Sequence, residues 1–220
     1  PIQSLFFLKE LADEQFIKRL ENQYPELELI ALSKELFAKI SYRETTGGMI
    51  ALAKVGVKSL NDIRLPANPL VLVIEGVEKP GNLGAILRTA DAAGVDAVVC
   101  CHLPTDIYNP NIIRSSLGTV FSVPLAVADN AGTMEWLRKN KIKTYCTNLH
   151  EAKEYHLHDY TGATAIVMGT EATGASEEWI TFSDENIKIP MLGKIDSMNV
   201  SVATAIMVYE ARRQRLMKLK

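Results

Sequence analysis

The sequence predicts an α/β fold: a mostly parallel sheet, preceded by a smaller α/β unit. Between residues 70 and 189, short apolar runs alternate with helical segments, the pattern that lays crossover helices over both faces of a parallel sheet. Runs such as 70–74 and 97–101 are apolar without alternation, as expected of strands buried on both sides. The stretch 58–68 is polar, carries Pro66 and has no sustained period, so it reads as a linker. It separates a small domain, residues 1–62, from a main domain, residues 68–220.

In chain order, residues 2–8 read as a buried strand. An amphipathic helix follows over about 12–23, with Phe16, Ile17 and Leu20 on one face, and Pro25 stops it. Residues 26–31 form a second strand, and Ser33 caps a short helix carrying Leu36, Phe37 and Ile40. The Gly47-Gly48 turn leads into a third strand at 49–55. In the main domain, strands are expected at 70–74, 97–101, 123–127, 142–147, 163–168 and 187–189. The last helix, about 199–216, opens on Val200, Val202, Ala203, Ala205 and Ile206, so its first half should be buried. Its end carries Arg212, Arg213, Arg215, Lys218 and Lys220. Those cations suit either a solvated end that complements the helix dipole or an RNA-facing patch.

Composition narrows the class. An apolar fraction of 47% and a charged fraction of 23% are those of an ordinary folded chain. A formal net charge of −2 gives no global attraction for a polyanion, so any nucleic-acid affinity must be local. Cys100, Cys101 and Cys146 are odd in number, lie in apolar runs and lack CxxC spacing, which reads as reduced core cysteines of a cytoplasmic protein. No apolar run approaches the ~18 residues of a membrane span, and no signal pattern opens the chain. The chain starts at Pro1, already near a strand and without methionine, as expected if residues upstream are lacking. His150, His156, His158 and Asp159 lie in a polar loop without the remaining ligands of a zinc site, so no metal is expected.

Three segments carry chemistry. The first runs Glu75-Gly-Val-Glu-Lys-Pro-Gly-Asn-Leu-Gly-Ala-Ile-Leu-Arg88 and on to Gly94, a strand-to-helix turn with Asn82 placed to cap the helix and Gly94 to end it. Its spacing is neither that of a dinucleotide fold nor that of a P-loop. Arg88 falls on the side of Gly84 and Ala85, where a guanidinium is costly unless paired, either with Asp91 or Glu75 or with a ligand. The second segment, 165–176, is an apolar strand ending in a loop bounded by Gly169 and Gly174, with Glu171 at its centre and Ser176 placed to cap the next helix. The third, 187–203, is a strand that stops at Pro190 and runs through Ser197 and Asn199, both natural N-cap residues, into the final helix. Strand ends of this kind are where parallel sheets bind ligands.

Together the three segments resemble the motifs of the SpoU/TrmH family within the SPOUT superfamily: N-x-G-x-x-x-R, G-x-E-x-x-G, and I-P-M-x-G followed by S-[LM]-N-V-S-V-A. That resemblance implies a deep C-terminal trefoil knot, a homodimer built around it, and S-adenosylmethionine as cofactor. It also implies methyl transfer to a ribose 2'-hydroxyl of RNA, ribosomal RNA ahead of transfer RNA. Carried over by position, the cofactor contacts are Thr147, Gly169, Ile189, Met191 and Met198. Met198 stands where the family usually has leucine, a volume-conserving change. The catalytic set is Asn82, Arg88, Glu171, Ser197 and Asn199. A guanidinium is too weak an acid to serve easily as a base, so Arg88 is expected to grip phosphate and stabilise the 2'-oxyanion, with Asn82 and Glu171 holding it. Residues 1–62 resemble part of the ribosomal-protein-L30-like domain that precedes the catalytic domain in many members. Two rival readings stand beside this one: a catalytically silent RNA-binding scaffold, and a nucleotide-dependent enzyme resting only on the turn at Gly81.

Overall fold

The structure is a computed structural model and describes residues 2–42, 47–54, 56, 58–149 and 152–218. The chain divides into two compact units, Pro1–Gly56 and Val57–Lys220. The first unit contains β1 (Ile2–Leu8), α1 (Glu14–Gln23), β2 (Glu28–Leu32), α2 (Lys34–Ile40) and β3 (Met49–Ala53). β1 lies in the middle, parallel to β2 and antiparallel to β3. Asp13 caps α1 by accepting from Gln15 N at 2.8 Å, and Ser33 caps α2 by accepting from Leu36 N, as its position predicts. On α1 only Ile17 is buried, while Phe16 is 36% exposed, so the apolar face is narrower than the sequence suggests. Of the expected third strand, Val55 lies outside the described residues.

The second unit holds β4 (Leu70–Glu75), α3 (Pro80–Ala93), β5 (Ala97–Cys101), α4 (Pro110–Ser115), β6 (Leu125–Ala128), α5 (Asn130–Lys139) and β7 (Lys143–Thr147). It continues with β8 (Lys153–Glu154), β9 (Thr164–Met168), α6 (Glu177–Phe182), β10 (Glu185–Lys188) and α7 (Val200–Lys218). The strands form one sheet in the order β6-β5-β4-β9-β7-β10-β8, and each of its pairings is parallel. All carboxyl ends therefore lie along one edge, as the alternating pattern predicts.

β4 shows why the sheet is stable: each of its residues is buried. Leu70, Leu72 and Ile74 enter one apolar cluster with Leu83 and Leu87 of α3 and Met207 and Val208 of α7. Val71 and Val73 enter the other, with Trp136 of α5 and Trp179 of α6. Each such aliphatic side chain contributes about 1.5–3 kcal/mol by leaving water. Residues 58–68, expected to be a linker, belong to this unit. Leu60, Ile63 and Leu65 pack against the second cluster, and Lys58 bridges to Ala126. Their apolar spacing is too irregular to announce itself as structure.

β8 has only two residues and was not foreseen. Its consequence is topological: Ile187 of β10 pairs with Thr147 on one side and with Lys153 on the other. The chain thus crosses from one flank of β10 to the other between Thr147 and Lys153.

In α7, Val200, Thr204, Met207 and Val208 are buried, but Val202 is 50% exposed, so the burial of the first half is one-sided. Most of the terminal cations are tied to the protein itself. Arg212 donates to the carbonyls of Ala93 and Gly94, Arg213 pairs with Glu210, and Lys218 Nζ reaches Thr161 Oγ1 at 3.0 Å. Arg215 is buried and donates to the carbonyls of Tyr160, Asn68, Pro69 and Gly162. Arg213 and Lys218 are exposed, as a solvated end requires, whereas buried Arg215 fits neither that reading nor an open RNA patch, and Lys220 lies outside the described set.

The three cysteines are free and buried, as expected, and burial pushes the Cys101 thiol up to about 11. Among the described residues no helix is long and apolar enough to cross a membrane, and none of their His, Cys, Asp and Glu side chains group to hold a metal. His150 of the histidine-bearing loop lies outside the described residues.

Candidate active site

The carboxyl ends of β7, β9 and β10 surround a cavity of about 410 Å3, within the range of small-molecule and cofactor sites. All five residues expected to contact a cofactor line it: Thr147, Gly169, Ile189, Met191 and Met198. Glu171 and Ser197 line it too. Its apolar wall is completed by Met168, Ile187, Val200 and Ala203. Leu149 and Asp196 also belong to the lining and were not foreseen, because only the fold brings the loop after β7 to face the loop before α7.

The second-motif loop is held rigidly. Thr170 N donates to Gly174 O at 2.9 Å and Gly174 N returns the bond to Thr170 O at 3.1 Å, closing a tight turn that projects Glu171. Gly174 sits at φ +73°, and a Cβ on Gly169 would collide with the Gly174–Ala175 backbone, so glycine is required at both positions. Glu75, at the end of β4, anchors this loop from below. Its buried carboxylate accepts from Ser176 N and from Asn130 Nδ2, both at 2.8 Å, and Asn130 Oδ1 accepts from Trp179 Nε1 at 3.0 Å. Ser176 takes the N-cap position of α6, but its buried hydroxyl makes no capping bond.

Helix α3 begins three residues earlier than its capping asparagine suggests. Pro80 occupies the first turn and Lys79 the cap position, because proline at N1 needs no hydrogen-bond partner there. Gly94 ends the helix at φ +64°, as expected. Asn82 is therefore released from capping, and its amide joins the three motifs instead. Asn82 Nδ2 donates to Glu171 Oε1 at 2.6 Å, and Asn199 Nδ2 donates to Asn82 Oδ1 at 3.1 Å. Asn199 Oδ1 in turn accepts from Ser201 N at 2.9 Å and Ser201 Oγ at 2.6 Å. Asn199 thus caps α7 and serves the site at once.

The direction of this chain is fixed. An ionised carboxylate only accepts, so Asn82 must turn its NH2 toward Glu171 and its oxygen toward Asn199. Ser201, the far end of the chain, was not singled out from sequence although it lies inside the third motif.

Two expected members stand apart from the chain. Ser197 is exposed at the cavity rim, caps no helix, and among the described residues makes only a long 3.4 Å bond to Asp196. Arg88 is exposed and has no hydrogen-bond or ion-pair partner among the described residues. The expectation that Asn82 and Glu171 hold it is not met, and neither is an ion pair with Glu75 or Asp91. Glu75 is occupied as above, and Asp91 accepts from Ser122 Oγ at 3.2 Å. Exposure to water removes the cost that a partner was expected to offset.

A parallel sheet with an apolar cavity at its carboxyl edge, rimmed by polar groups in a fixed orientation, defines a cofactor-binding α/β enzyme. The SpoU rRNA Methylase family matches residues 69–209. The chain is 33% identical over 181 residues to the 23S rRNA (guanosine(2553)-2'-O)-methyltransferase RlmP of Bacillus subtilis, covering 82% of this chain and 71% of that protein. It is 41% identical over 149 residues to the tRNA (guanosine(18)-2'-O)-methyltransferase of Thermus thermophilus, covering 67% of this chain and 76% of that one. The SpoU methyltransferase AviRb from Streptomyces viridochromogenes, solved in complex with the cofactor AdoMet, superposes with a TM-score of 0.85 at 28% identity, over 99% of this chain and 84% of that one. The chain belongs to the SpoU rRNA methylase family of methyltransferases.

Proposed function

We propose that the chain transfers a methyl group from S-adenosylmethionine to a ribose 2'-hydroxyl of RNA, with 23S ribosomal RNA as substrate in the cytoplasm. The observation that carries this reading is the coincidence of the cavity with the hydrogen-bonded chain Glu171–Asn82–Asn199–Ser201, which ties all three motif segments together at its rim. The residues present fit the cofactor. Met191, Met198 and Ile189 offer an apolar wall for an adenine ring, and Gly169 lets backbone approach closely. When bound, S-adenosylmethionine supplies an electrophilic methyl group on a sulfonium.

The protein's own residues do the rest. Arg88, exposed and without a partner among the described residues, grips an RNA phosphate and stabilises negative charge developing on the 2'-oxygen. Asn82, Glu171 and Asn199 keep the motif loops in register, so that the hydroxyl is oriented rather than merely bound. Ser197, at the rim, offers its hydroxyl to the incoming ribose or the cofactor.

The chain works as a homodimer. Val202, Tyr209 and Leu216 are spaced seven residues apart along α7 and are all half exposed or more, an apolar repeat on one face of the kind a partner helix covers. The pairing of β10 with β7 on one flank and with β8 on the other supports a trefoil knot in this part of the chain. The first unit is read as part of an L30-like domain that brings ribosomal RNA to the site.

Calorimetric titration with S-adenosylmethionine, followed by methyl transfer to unmodified 23S rRNA and transfer RNA transcripts, tests this reading. Binding weakened in Asn199→Ala and Met198→Glu, with transfer to the 23S transcript, is the expected result. Transfer to transfer RNA alone would favour the specificity of the Thermus relative. No binding by the folded protein would point to a silent scaffold.

A further inference from the structure

Arg88 lies on a stripe of α3 with Gly84 and Asp91, at spacings of four and three residues that place all three on one face. Both neighbours touch the same stretch of chain. A Cβ on Gly84 would collide with Ser115 at the end of α4, and Asp91 accepts from Ser122. Residues 116–121 therefore run alongside Arg88. Ser115 Oγ also donates to Pro80 O at 3.3 Å, fixing α4 to the turn that carries Asn82. Arg88 stands six residues beyond Asn82, about 9 Å along the helix, so this surface is within a nucleotide or two of the polar chain.

What the stretch presents is unusual for a free surface. Phe121 is 64% exposed, and its ring is backed by Tyr108 in a near-parallel stack, with centroids 5.9 Å apart at 16°. Leu117 is 73% exposed and sits at φ +52°, a left-handed conformation that a leucine rarely adopts. Arg114, at the end of α4, is exposed and, like Arg88, has no hydrogen-bond or ion-pair partner among the described residues. An exposed, pre-stacked aromatic ring, on a stretch of chain that carries Arg114 at its start and runs alongside Arg88, combines the two elements that hold unpaired RNA. One is a π-face for a base and the other is positive charge for the flanking phosphates.

We propose that Phe121, supported by Tyr108, is a stacking platform for an unpaired nucleobase of the substrate RNA next to the methylated ribose, with Arg88 and Arg114 holding the adjoining phosphates. This rests on the RNA methyltransferase reading above and adds a specificity element to it: the target nucleotide is presented from a single-stranded loop or bulge. A second copy of this chain is the less favoured occupant, because two uncompensated cations beside the ring suit a polyanion better than an identical cationic surface.

The test measures methyl transfer to unmodified 23S rRNA and transfer RNA transcripts, with S-adenosylmethionine affinity and sedimentation behaviour, for wild type, Phe121→Ala, Phe121→Leu and Phe121→Trp. Stacking predicts that Ala and Leu raise the KM for RNA by about ten- to a hundredfold, while Trp stays within about threefold of wild type. Cofactor affinity and oligomeric mass should not change. A Phe121→Leu enzyme that matches wild type would mean that only apolar bulk matters and would overturn the platform. A change of oligomeric mass in Phe121→Ala would assign the patch to a second copy and would overturn it equally. Wild-type protein that binds the cofactor yet methylates neither RNA would remove the RNA reading itself, and the platform with it.

Discussion

Arg215, at the amino ends of β4 and β9, is buried and donates to four backbone carbonyls, whereas Arg88, on the helix that follows β4, is exposed and has no partner among the described residues. The first charge stitches the start of two central strands to the last helix. The second is available to a ligand. A guanidinium buried and bonded by the fold is out of reach of RNA, and one left free adds nothing to stability, so the two arginines divide structure from function.

Breaking this contrast at its structural pole should have the largest effect. Arg215→Met leaves four carbonyls without their charged donor, and the expected loss is about 3 kcal/mol or more of stability, read as a fall in thermal and urea midpoints. At the other pole, Arg88→Lys should leave those midpoints unchanged and lower kcat about a hundredfold, because an ammonium lacks the bidentate fork. Nearly full activity in that variant would remove Arg88 from the oxyanion role. Asn199→Ala sharpens the comparison by touching both functions at once. It should cost about 1 kcal/mol as a lost N-cap and also reduce turnover, where Ser33→Ala, a cap remote from the motif segments in sequence, should show a stability loss alone.

The smallest effect is one of pH. Hydrogen bonds from Arg213, then from Gln214, hold the Glu210 carboxyl below the usual glutamate range. A depressed folded-state value means stability that is present above the ordinary glutamate pKa and is lost as pH falls through the lowered one. Glu210→Gln should therefore be slightly less stable than wild type near neutral pH, and the difference should vanish as pH falls through the lowered value, read as thermal midpoints across an acid titration.

The same contrast explains what was legible in the sequence. The sheet could be read because β4, β5 and β9 are continuous apolar runs bounded by turns, and burial on both faces demands that composition. The cavity residues could be read because glycines and prolines punctuate the motif loops at fixed spacings. The use of each arginine could not, since a cation near a helix end looks alike whether carbonyls, solvent or RNA await it. The start of α3 was misplaced because Asn82 is a natural cap, and Pro80 fills the first turn without one. β8, at two residues, carries too little pattern to be distinguished from loop, and it took the pairing of Ile187 on both flanks to give it meaning.

The hydrogen-bonded chain that begins at Glu171 also sets how this site would age. Asparagine deamidation exchanges one NH2 for an oxygen and alters the shape of the side chain very little. At Asn82 it would set a second carboxylate at the 2.6 Å distance now spanned by the amide and Glu171, and two like charges at that separation cannot both stay ionised without repelling. Either one of the two carboxyl groups would have to hold a proton, or the two loops would separate, although every other atom of the enzyme was intact. A preparation could then keep its fold and its melting curve while silently losing its turnover, one hydrolysed amide at a time.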